Sequence, residues 1–64
     1  MKYYLITHCC MNKQALVSAE SCENALYLLR KEDILYDENN VTITEMPHSE
    51  TLNSEIIYNR TYYE

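Results

Sequence analysis

The sequence predicts an α+β fold of two layers, an antiparallel sheet of about four strands with one helix packed on one face. Three observations predict it. Two-residue alternation of side chains recurs in four separate stretches, one stretch carries helical spacing, and the polar connections between them are short. The predicted order is strand, strand, helix, strand, strand.

Lys2 to Cys9 is expected as the first strand, with Tyr4, Ile6 and His8 on one face and Tyr3, Leu5 and Thr7 on the other. Both faces are partly apolar, which places this strand at the centre of the sheet. Met11-Asn12-Lys13 reads as a hairpin loop, with Asn12 able to take a left-handed conformation in a chain that has no glycine. Gln14 to Ala19 follows as a second strand, with Ala15, Val17 and Ala19 opposite Leu16. Ser21 offers an N-cap hydroxyl, and Cys22, Ala25, Leu26 and Leu29 recur at the spacing of one helical face, predicting a helix over 21–32. Glu20 and Glu23 suit its positive end, Arg30 and Lys31 its negative end.

Asp37 to Asn40 is turn-like, and Val41 to Met46 alternates again as a third strand that Pro47 ends. Ser54 to Tyr62 is the fourth. Its alternation puts Ile56, Tyr58, Arg60 and Tyr62 on one face and Ile57, Asn59, Thr61 and Tyr63 on the other. Short connections favour hairpins between successive strands, so the third and fourth strands are expected to pair.

A chain of 64 residues is expected to be a single domain, 1–64, that buries only about 60% of its unfolded surface. Scaffolds of this size often lean on disulfides, a metal or self-association, which makes a homodimer an expectation. Ten acidic against five basic residues give a net charge of −5, and the bases are scattered at Lys2, Lys13, Arg30, Lys31 and Arg60. Direct binding of nucleic acid or of an anionic membrane is disfavoured. The natural counterpart is a basic protein surface. No run approaches the ~18 apolar residues of a membrane span, and the N-terminus does not read as a signal peptide, so a cytoplasmic location is expected.

The three cysteines, Cys9, Cys10 and Cys22, are an odd number, and the adjacent pair cannot bridge without severe local strain. Reduced, buried thiols and a surface histidine are the plain expectation. A zinc site built from His8, Cys9, Cys10, Cys22 and His48 is argued against by spacing, because adjacent residues of a strand point to opposite faces. Cys22 in the first helical turn has the dipole that activates a nucleophile, yet it lies on the apolar stripe, where an inert core role is commoner. Phosphate-cradling loops need glycine. No enzyme, cofactor or metal is therefore expected.

Seven carboxylates, Glu32, Asp33, Asp37, Glu38, Glu45, Glu50 and Glu55, lie within 24 residues that hold no lysine or arginine. Such charge is commonly plain solvation, but it also suits a basic groove that holds nucleic acid. Seven tyrosines with no Phe or Trp strengthen the second reading, since tyrosine is enriched in interfaces. Tyr4 or Tyr58 is expected in the core, and Tyr27, Tyr36, Tyr62 and Tyr63 are expected at the surface.

The first half of the chain, with MKYYLIT, a turn, ALVSAESCENA and ALYLLRKE, resembles the layout of small phage and mobile-element proteins, including small anti-CRISPR inhibitors. The resemblance implies a protein that binds a host complex and blocks it without catalysis. The expected partner-binding residues are Asp37, Glu38, Glu45, Glu50 and Glu55 for charge, with Tyr36 and Tyr58 as anchors. A structural or regulatory homo-oligomer is the second expectation, and a zinc or thiol-redox module the third.

Overall fold

In the computed structural model, which describes residues 1–47 and 53–62, five elements follow in the predicted order. They are β1 (Lys2–His8), β2 (Lys13–Ala19), α1 (Cys22–Glu32), β3 (Val41–Met46) and β4 (Glu55–Thr61). The four strands form one antiparallel sheet in the order β3-β1-β2-β4, an α+β arrangement with α1 against one face. β1 is central, as its two partly apolar faces predict.

One expectation is overturned. β3 and β4 do not form a hairpin but occupy opposite edges of the sheet. The β1–β2 hairpin leaves a free edge on each side, and α1 carries the chain from the end of β2 back along the sheet. β3 therefore enters parallel to β2 and pairs with β1, while β4 closes the edge of β2. β1 and β2 both lie inside the sheet, whereas a β3–β4 hairpin added at β1 would have left β2 at an edge.

Ser21 caps α1 as predicted, its Oγ accepting from the Asn24 amide at 3.2 Å. The helix lays Ala25 and Leu29 on Tyr4 and Ile6 of β1 and on Ala15, Val17 and Ala19 of β2, all at most 4% exposed. Alanine at facing positions lets helix and sheet approach closely. Leu26, Leu28, Val41, Ile43 and Ile56 pack around this centre.

Several core assignments change. Cys9 and Cys10, expected as buried thiols, are exposed in the turn after β1. Cys22 is exposed: as the first helical residue it lines an open cleft beside Tyr4 and Ile43, while Ala25 and Leu29 carry the buried stripe. Tyr36 is fully buried instead of exposed. The chain after α1 folds its ring back into the core, and its hydroxyl donates to Asn59 Oδ1 at 2.8 Å, so burial leaves no polar atom unpaired.

β4 departs from plain alternation. Leu16 faces Tyr58 while Val17 faces Ile56, so Ile57 is an extra residue in the ladder. Ile56 and Asn59 consequently share the helix side of the sheet, and Tyr58 and Arg60 the open side. The expected common face of Ile56, Tyr58 and Arg60 is thereby corrected.

The β1–β2 turn also differs from expectation. No described residue has a positive φ, Asn12 included. The turn is held instead by His8, whose Nδ1 accepts from the amides of Cys10 at 3.0 Å and Met11 at 3.1 Å. His8 is 7% exposed and edge-on to Tyr36, so it belongs with the core.

Candidate functional site

Acidic side chains gather on the side of the molecule where an open cleft separates α1 from β3. Glu20 and Glu45 line one cleft of about 420 Å³ with Tyr4, Ser21, Cys22 and Ile43. Glu23 and Glu38 line a second with Leu26, Tyr27 and Arg30. Local structure explains the placement. Glu20 and Glu23 flank the Ser21 cap, where the helix dipole favours negative charge, and Glu45 follows Ile43 on the same face of β3. Glu38 sits in a turn closed by Asn40, whose amide donates to the Asp37 carbonyl at 3.0 Å and whose Oδ1 accepts from the Asp37 amide at 2.8 Å.

Little of this charge is neutralised locally. Among the described residues the ion pairs are Lys2–Glu45 at 2.9 Å and Lys13–Asp33 at 2.8 Å. Glu20, Glu23 and Glu38 are exposed and have no ion-pair partner among the described residues. The hydrogen bond from Lys2, reinforced by its charge, holds the Glu45 carboxyl below the usual range and raises the Lys2 ammonium. Tyr27 stands beside the acidic residues at 65% exposure, with the Lys31 ammonium 5.4 Å from its ring centre.

The residues singled out from sequence do not form one patch. Asp37 and Glu38 lie in the α1–β3 turn, and Glu45 is on the β3 edge. Glu55 begins β4 at the opposite edge, a consequence of the separated strands. Tyr36 is in the core. Tyr58 lies half-buried on the open face, its hydroxyl accepting from Gln14 Nε2 at 3.5 Å and its ring 4.7 Å from the Arg60 guanidinium. Glu50, His48 and Tyr63 fall outside the described residues.

No family model, curated protein or solved structure matches this chain. Function therefore rests on the geometry.

Sequence reading missed Glu20 and Glu23 as members of the acidic side, since it treated them as helix-end residues. It also missed a polar network at the other end of α1. Lys13 Nζ meets Asp33 Oδ2, Asn59 Nδ2 donates to the same oxygen at 3.2 Å, and Tyr36 donates to Asn59. Burial pushes the Asp33 carboxyl up, but its bonds from Lys13, Asn59 and the Leu35 amide outweigh this and bring it below the usual value. Burial, reinforced by Asp33 and Tyr62, pushes the Tyr36 phenol up to about 12. No signal of period or composition points to this network, because its members come from β2, the α1 C-cap, the following loop and β4. Among the described residues, no three of His, Cys, Asp or Glu come together to hold a metal.

Proposed function

We propose that the chain is a non-enzymatic, protein-binding inhibitor that covers a basic, nucleic-acid-handling surface of a host complex, in the manner of a phage-encoded anti-CRISPR protein. The observation that carries the reading is the unpaired acid of Glu20, Glu23 and Glu38 beside exposed Tyr27. Carboxylates on a small rigid scaffold steer association with a basic groove, and an exposed tyrosine adds area and a hydrogen-bonding tip. The inhibitor works by occlusion, taking the place of the phosphates that the groove holds. Asp37 and Glu45 extend this surface.

The experiment is affinity capture from bacterial lysate with the chain and its Glu20→Lys, Glu23→Lys, Glu38→Lys variant. Charge-dependent recovery of a nucleic-acid-binding protein, followed by loss of that protein's nucleic-acid binding when the purified chain is added, supports the proposal. Recovery unchanged by the reversal refutes it.

A second reading is favoured by one observation. Leu5, Leu16 and Tyr58 lie on the sheet face opposite α1, half-buried under no described element, with Ile57 at 41% exposure in the adjoining bulge. A homo-oligomer pairing these faces would cover them. Mass measurement in solution decides, since a monomer at micromolar concentration removes this reading.

A further inference from the structure

The turn between β1 and β2 carries chemistry that the proposed function does not use. Cys9 and Cys10 are exposed free thiols whose Sγ atoms lie 2.9 Å apart. A disulfide bond is about 2.05 Å long, so the two sulfurs stand within about 1 Å of bonding distance. The third cysteine, Cys22, is exposed at the opposite end of the sheet, where α1 begins after β2. The neighbouring pair is thus poised for reaction with itself and remote from the remaining thiol.

We propose that Cys9 and Cys10 are a dithiol redox site, closed to a vicinal disulfide by a hydroperoxide and reopened by a low-molecular-weight thiol. In closing, one thiolate attacks the O–O bond, becomes a sulfenic acid and releases an alcohol, or water when the oxidant is hydrogen peroxide. The second sulfur then attacks the first, the S–S bond forms, and the sulfenic oxygen leaves as water. Two thiol protons and two electrons pass from the sulfurs to the peroxide. In reopening, one external thiol attacks to give a mixed disulfide, and a second releases it as a small-molecule disulfide.

The hydrogen bond with Cys10, with burial and its neighbour's charge adding to it, raises the Cys9 thiol. Whichever sulfur attacks the peroxide, its neighbour 2.9 Å away is placed to resolve the sulfenic acid. Reversibility follows from strain. Adjacent Cα atoms stand about 3.8 Å apart, below the roughly 4.4 Å lower limit of ordinary disulfides. Strained, exposed disulfides are readily reduced, which suits a signal and not a staple.

The turn is wired to the core. The Cys10 amide donates to His8 Nδ1, the Cys9 amide donates to the Asn40 carbonyl at 2.8 Å, and His8 meets the Tyr36 ring at 6.1 Å and 63°. Closing the ring reorients the peptide between the two cysteines and draws its N–H off His8. Oxidation is therefore felt at Tyr36 and in the loop that holds Asp37 and Glu38.

The test treats the full chain with equimolar hydrogen peroxide. The expected result is a monomer lighter by two hydrogens, with one titratable thiol left of three, a peptide map linking Cys9 to Cys10, and recovery on adding reduced glutathione. Cys22→Ser keeps the mass loss and Cys10→Ser abolishes it. A change in the tyrosine near-UV signal accompanies closure. Three thiols persisting, a disulfide between two chains, or a bridge to Cys22 would each overturn the proposal.

Discussion

On the face that α1 covers, Tyr4, Ile6, Ala15 and Val17 are sealed at 4% exposure or less, whereas Leu5, Leu16 and Tyr58 on the opposite face remain half-buried beneath no described element. Both faces arise from the same alternation along β1 and β2. The difference comes from layer count, since one helix of 11 residues can seal one side of a four-stranded sheet and no more. Polar groups follow the same division. On the covered side Lys13, Asp33, Asn59 and Tyr36 satisfy one another, while on the open side Tyr58 meets Arg60 and Gln14 at the surface.

The sharpest way to break this contrast is to truncate one tyrosine on each face. Tyr36→Ala is expected to destabilise by about 3–5 kcal/mol in urea unfolding, the range for a large buried aromatic. Tyr58→Ala is expected to cost less than half as much. Equal losses would mean that the open face is sealed in solution, as in an oligomer.

Next in size is Tyr36→Phe, which removes the hydroxyl and leaves Asn59 Oδ1 without its donor, for a loss of about 1 kcal/mol. Its pH dependence is distinctive. The phenol ionises near 10 when unfolded but only at about 12 when folded. The stability it contributes is present below pH about 10 and disappears as pH rises toward the folded value. Tyr36→Phe should flatten that alkaline limb, read from the unfolding midpoint at rising pH. Asp33→Asn acts at the other extreme. Asp33 is lowered on folding, so its contribution is present above its unfolded pKa and is lost as pH falls through the folded one. The variant should lack that part of the acid limb. The smallest effect is at Ser18, buried with an Oγ that has no hydrogen-bond partner among the described residues. Ser18→Ala should leave stability unchanged or slightly raised, because no bond is lost.

Local features were legible in the sequence where one short stretch decides them. The Ser21 cap, the α1 stripe through Ala25 and Leu29, and the strand alternation of β1 and β3 needed no distant information. What depended on distant pairing was not legible. The edge position of β4, the bulge at Ile57 and the inward turn of Tyr36 are set by β2, Asn59 and the end of α1. The same limit governed the site. A run of acidic residues in sequence was read as a patch, but strand order moved Glu55 to the far edge and brought Glu20 and Glu23 to the side of Glu38 and Glu45.

Under the proposed function, binding belongs to the α1–β3 side and not to the opposite edge. The direct measurement compares the affinity of the captured partner for the chain, for the Glu20→Lys, Glu23→Lys, Glu38→Lys variant and for Glu55→Lys. The expected result is a loss of about tenfold or more for the first variant, increasing at low salt, and near-native affinity for Glu55→Lys. Equal affinity for all three, or a loss confined to Glu55→Lys, would contradict it.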